Sequence, residues 1–174
     1  GHSAGQGHVG GRSVHIGYEA GRYTASGSQD VYVGYNAGKV AHLSGDPSGS
    51  HTNNGRGSLN VAIGVQNGVN LTSGGSNIFL GKYAGRCTST GNHNFFAGFS
   101  AGKLVTQGNY NIFFGFEAAD SVTTGSKNIV FGCNLELPSN TGNCQLAIGH
   151  GNDRWIIGDS SYNVCLAGDT IKAM

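Results

Sequence analysis

Asn77-Ile78-Phe79-Leu80-Gly81 is one copy of a five-residue phrase that returns along most of the chain. It reappears downstream as Asn94-Phe95-Phe96-Ala97-Gly98, Asn111-Ile112-Phe113-Phe114-Gly115, Asn128-Ile129-Val130-Phe131-Gly132 and Gln145-Leu146-Ala147-Ile148-Gly149. Upstream copies are Ser13-Val14-His15-Ile16-Gly17, Asp30-Val31-Tyr32-Val33-Gly34 and Asn60-Val61-Ala62-Ile63-Gly64. The closing glycines are spaced by 17 residues, except from Gly34 to Gly64, which is one period plus 13. A strict period of this length marks stacked repeats, in which units too short to bury an apolar face alone share one core.

Each repeat is numbered here from its closing glycine as zero. Position −3 is Val14, Val31, Val61, Ile78, Phe95, Ile112, Ile129 and Leu146, and position −1 is Ile16, Val33, Ile63, Leu80, Ala97, Phe114, Phe131 and Ile148. Both columns are apolar throughout. Position −2 is mixed and largely aromatic: His15, Tyr32, Ala62, Phe79, Phe96, Phe113, Val130 and Ala147. Side chains alternate across a strand. The two uniform columns are therefore expected to line the inside of each coil, and the −2 column to point outward. Ala20, Ala37, Ala84, Ala101 and Ala118 stand at +3, and glycine usually follows them. A second glycine recurs at Gly27, Gly74, Gly91, Gly108, Gly125 and Gly142. These glycines fit corners with φ > 0. Each unit reads as strand, turn, weaker strand, turn.

The expected fold is all-β: stacked 17-residue coils forming a β-solenoid or β-roll rod. At about 4.8 Å per coil, nine or ten coils would give a rod of roughly 45 Å. Residues 1–12 read as a partial first coil, and 13–149 as the solenoid, with an insertion loop at about 39–59. Residues 150–174, where the period breaks, read as an irregular end or cap. Composition agrees. Of 174 residues 32 are glycine and two are proline, and only 11% are charged. Collagen would need glycine at every third residue, and disorder would need fewer apolar residues. A net charge of +1 gives no bulk attraction to nucleic acid, and no apolar run is long enough to insert in a membrane. The opening Gly1-His2-Ser3-Ala4-Gly5 resembles the inside of a repeat, so the chain reads as a fragment or a processed product.

An outward row of rings at Tyr32, Phe79, Phe96 and Phe113 would form an exposed apolar stripe, which usually marks an interface. Three chains around a common axis would cover it. On this reading Phe96→Asp with Phe113→Asp dissociates the assembly. A single-chain, two-sided solenoid is the architectural alternative.

The pattern Asn-apolar-x-apolar-Gly, then Ala-Gly, then a Thr/Ser/Gly turn, resembles the head repeats of trimeric autotransporter adhesins. It is more similar still to repeats in bacteriophage tail fibres. The resemblance covers residues 13–149. It implies a homotrimeric structural shaft, on a virion or at a cell surface, that supports attachment to a glycan or protein receptor. Bacterial adhesin head and end-to-end extracellular filament remain the alternatives. The period is longer than the usual adhesin head repeat, and the insertion is a further departure.

No catalytic, cofactor or metal site is expected. The nine acids are scattered, with Asp153, Asp159 and Asp169 the one local group, and the seven histidines show no ligand spacing. Arg22 and Lys39 share position +5 with Arg86 and Lys103, a candidate stripe for an anionic glycan or phosphate or else a solvated rim. Cys133 and Cys144 fall on one coil, and the sequence leaves open whether they pair or stay free.

Overall fold

The computed structural model describes residues 1–8, 11–24, 28–39 and 57–166. Among these the chain forms ten strands and no helix. The strands are β1 (Val14–Ile16), β2 (Val31–Val33), β3 (Val61–Ile63), β4 (Ile78–Leu80), β5 (Phe95–Ala97), β6 (Ile112–Phe114), β7 (Ile129–Cys133), β8 (Leu146–His150), β9 (Asp153–Gly158) and β10 (Val164–Leu166). They lie side by side in chain order in one sheet. From β1 to β8 every pairing is parallel and joins equivalent positions, as in Ile78 opposite Phe95 and Phe79 opposite Phe96. The register survives the long step, where Val31 faces Val61.

The result is a parallel β-solenoid of about seven turns, fewer than the nine or ten coils that length alone suggested. After β8 the chain reverses: β9 pairs antiparallel with β8, and β10 antiparallel with β9. At the other end, residues 1–8 stack on the turn that follows β1, with Glu19 N–H donating to His2 (2.8 Å) and Gly5 N–H to Ala20 (2.9 Å). Of the expected insertion, residues 40–56 lie outside the described residues.

Strands of three residues end where they do because the closing glycine bends the chain. Gly81 has φ +119°, and a methyl there would sit 2.7 Å from the carbonyl oxygen of Gly98 in the next coil. Only glycine satisfies both conditions. The second glycine column works differently from the expected corner. Gly74, Gly91, Gly108, Gly125 and Gly142 have no positive φ; they allow close approach between coils, as where a methyl on Gly91 would meet the Gly108 carbonyl oxygen at 2.5 Å. The left-handed corner falls two residues later, on Ser76 (φ 59°), His93 (56°), Tyr110 (58°) and Lys127 (59°). That conformation costs roughly 1–2 kcal/mol per residue. In return each N–H reaches the preceding coil, as Tyr110 N–H does to the Asn92 carbonyl (3.0 Å).

The inside of the solenoid reverses the expected orientation of the strands. The −2 residues Tyr32, Ala62, Phe79, Phe96, Phe113, Val130 and Ala147 are fully buried. Their rings stack along the axis, Phe79 on Phe96 at 5.5 Å and Phe96 on Phe113 at 4.9 Å. Across each coil stand the +3 alanines and a second buried row, Leu71, Thr88, Val105 and Val122. A methyl on Gly85 would lie 2.5 Å from the Phe79 ring, and one on Gly102 2.7 Å from the Phe96 ring. Such a coil has room for one large ring per layer. Where the −2 residue shrinks, the +3 residue grows: Ala62 faces inward with buried Asn67, and Val130 with buried Leu135.

Alternation then forces the flanking columns outward. Val14, Ile16, Val31, Val33, Val61, Ile63, Ile78, Leu80, Phe95, Ile112, Phe114, Ile129, Phe131, Leu146 and Ile148 are not core residues; all are exposed or half-buried. Conversely Tyr32, Phe79, Phe96 and Phe113 are sealed inside and cannot touch another chain.

A polar row completes the interior. Asn60, Asn77, Asn94, Asn111 and Asn128, at −4, are buried. Each side-chain oxygen accepts from the backbone N–H of the equivalent residue one coil on: Asn77 to Asn60 (3.1 Å), Asn94 to Asn77 (3.0 Å), Asn111 to Asn94 (3.0 Å), Asn128 to Asn111 (3.0 Å) and Gln145 to Asn128 (2.8 Å). Each amide also donates to a glycine carbonyl of the next turn, Asn77 to Gly91, Asn94 to Gly108 and Asn111 to Gly125, all at 2.8 Å. The ladder thus links successive coils and clamps the glycine row that precedes the left-handed corner. Satisfied in this way, buried amides do not carry the penalty of unpaired polar groups.

Candidate functional site: an apolar face of the solenoid

With the −2 rings inside, the parallel sheet turns a continuous apolar face to solvent. Its −3 and −1 columns contain no polar side chain in eight strands. Ile16 is 57% exposed, Phe114 52% and Phe131 44%. Position +1 extends the face beyond the bend with Tyr18, Tyr35, Val65, Phe99 and Phe116, interrupted by Lys82. Rings of the face stack on their counterparts one coil away: Tyr18 on Tyr35 at 5.2 Å, Phe99 on Phe116 at 5.1 Å, and Phe114 on Phe131 at 5.9 Å. They present a ridged surface of ring edges. Eight strands at about 4.8 Å, with three outward residues each, span roughly 500–700 Å². That is at or above the largest apolar patch of an ordinary monomer, about 300–600 Å².

The basic residues expected to share a stripe are placed unequally. Position +5 reads Arg22, Lys39, Val69, Arg86, Lys103, Asp120 and Leu137, so the basic row is broken by a valine and stops before Asp120. Arg22 and Lys39 both bond to the Glu19 carboxylate. The hydrogen bond from Lys39, with the charges of Lys39 and Arg22, holds the Glu19 carboxyl below its ordinary value against some desolvation. Arg86 instead lies over the Tyr83 ring, 5.4 Å from its centroid. Lys39, Val69 and Arg86, in successive coils, all line an open cleft of about 260 Å³.

Among the described residues, Asp153 opens β9, Asp159 follows it, and Asp120 lies beside Glu136. Asp159 accepts hydrogen bonds from Ser161 N–H (2.9 Å) and from the backbone (3.0 Å) and side chain (3.0 Å) of Asn163, which makes it a turn-forming residue. The Asn163 side chain contributes most to lowering its carboxyl from the ordinary value. Asp169 lies outside the described residues. Glu136, at +4 of the seventh coil, was not singled out by its sequence context. Burial, and then the Asp120 carboxyl beside it, push Glu136 up to about 7, while Ser121 N–H donates to it at 3.2 Å. Among the described residues no three His, Cys, Asp or Glu side chains converge to hold a metal ion. Cys133 and Cys144 are both free thiols.

The signal that could have located the apolar face was present in the repeat itself. Columns −2 and +3 trade volume with each other, as Ala62 does with Asn67 and Val130 with Leu135. No family model matches the chain, and neither the curated proteins nor the solved structures contain a match to it.

Proposed function

We propose that this chain is a rod segment of a fibre, of the phage tail-fibre kind or a comparable surface appendage, that associates with copies of itself through the apolar sheet face. The observation that carries the reading is the uniformly apolar −3 and −1 columns, left exposed by a coil already filled with stacked rings. A face of several hundred Å² approaches the ~800 Å² per partner of a stable interface. Its rows repeat with every coil, so parallel copies in register would set like rows against like. Three copies around an axis, as the resemblance to fibre repeats implies, would cover the face of each chain. The rod's work is then mechanical: to stay stiff and to carry attachment groups away from a particle or a cell.

The test is solution mass. The wild-type chain is expected at a whole multiple of 17.8 kDa by light scattering. Phe114→Asp with Phe131→Asp, both on the exposed face, is expected to return the mass to that of one chain with the β-sheet signal intact. A wild-type chain that is monomeric at high concentration, or a double variant of unchanged mass, would overturn the reading.

A further inference from the structure

We propose that the notch over Val69 binds an anionic saccharide, its sulfate or carboxylate held between Lys39 and Arg86. Along the +5 row, every coil from Arg22 to Lys103 presents a long cation except the one that carries Val69. With a rise of about 4.8 Å per coil, the backbones of Lys39 and Arg86 are about 10 Å apart, with the shorter apolar valine between them. That span suits one oxyanion group bridged by two long side chains. Asn36, Gln66 and Asn70 also line the cleft, and among the described residues no carboxylate does.

The donors are poised for this chemistry. Lys39 is steadied by Glu19 from the coil before it. An ammonium has three N–H donors, so donors remain free beyond that bond. Arg86 forms no ion pair among the described residues, and its planar guanidinium matches the fork of a sulfate or carboxylate. Asn36, Gln66 and Asn70 supply the complementary groups: all three line the cleft, and a side-chain amide both donates to and accepts from a sugar hydroxyl. Cations for the charge and amides for the hydroxyls together describe a charged polyhydroxy ligand better than a free inorganic ion. The notch uses positions +2, +5 and +6, away from the −3, −1 and +1 columns of the apolar face, so its occupancy can be read whatever the oligomeric state.

The test is titration calorimetry of the purified chain with a sulfated heparin tetrasaccharide, its desulfated counterpart and inorganic sulfate. Saturable binding of the sulfated saccharide is expected, at least tenfold tighter than either of the other two. Val69→Arg is the deciding variant, because it adds positive charge to the row while filling the notch. It should weaken binding at least tenfold, as should Arg86→Gln, whereas Lys103→Gln, next in the row but outside the notch, should change it less than twofold. Tighter or unchanged binding by Val69→Arg would show diffuse attraction to a basic rim and overturn the proposal. So would absence of wild-type binding, or inorganic sulfate binding as tightly as the saccharide. Should Val69→Arg fail to fold, Asn70→Trp, at an exposed position, obstructs the same notch without changing its charge and carries the same expectations.

Discussion

Phe113 and Phe114 are neighbours on β6 with the same side chain, yet one is fully buried and the other is 52% exposed. The contrast holds from β2 to β8, with Ala97 the one buried residue at −3 or −1. The inward side carries stacked rings and an amide ladder; the outward side carries aliphatic and aromatic residues with nothing over them. Hydrophobicity therefore does not say which side of these strands is the interior. The opposite wall says it. A ring at −2 fits because alanine and glycine stand across the coil at +3 and +4, where a methyl on Gly102 would come within 2.7 Å of the Phe96 ring.

The largest expected effect on the inward side is in the amide ladder. Asn94 accepts from the backbone N–H and side chain of Asn111 and donates to Asn77 and Gly108. Asn94→Ala strands several of these groups in a buried site, so a loss on the order of 3 kcal/mol is expected, read from denaturant unfolding. An equivalent truncation on the outward side, where no such network exists, is expected to leave single-chain stability nearly unchanged. Equal losses on both sides would erase the distinction.

A smaller effect sharpens it at Glu136, where an acid occupies the +4 position that holds glycine in most coils. Its folded value near 7 lies above the 4.5 of an ordinary glutamate. The folded chain therefore holds a proton that the unfolded chain has released between about pH 4.5 and 7. Stability falls as pH rises through that window, and the penalty is complete above it. Discounted for partial exposure, Glu136→Gln is expected to gain on the order of 1–2 kcal/mol at pH 8 and nothing below pH 4.5. Glu19, held low by Lys39 and Arg22, acts with the opposite sign: its contribution is present above its ordinary value and is lost as pH falls. A flat difference between wild type and Glu136→Gln across pH 4–8 would contradict the placement of Glu136.

Much of the architecture was legible in the sequence. The 17-residue period placed the parallel strands from Val14 to Ile148 and their register, because stacking makes equivalent positions neighbours. The Asn at the head of each repeat was visible as a column, and its hydrogen bonds make that column a ladder between coils. What failed was the assignment of sides. With both faces of each strand apolar, alternation gives two columns without saying which is enclosed, and the more uniform pair looked like core. The volume exchange of Ala62 with Asn67 and of Val130 with Leu135 links −2 to +3 across a closed coil, whereas Phe95 and Ala97 exchange volume only within one face of one strand. Glu136 was illegible for another reason: it is defined by burial and by Asp120, neither of which a repeat pattern shows.

The measurement that bears most directly on the assignment of sides sets Phe113→Asp against Phe114→Asp, following circular dichroism and light scattering on the same samples. The inward variant is predicted to lose its β-sheet signal, while the outward variant keeps that signal and loses association. A Phe113→Asp chain that stays folded while it dissociates, alongside a Phe114→Asp chain that unfolds, would contradict the account.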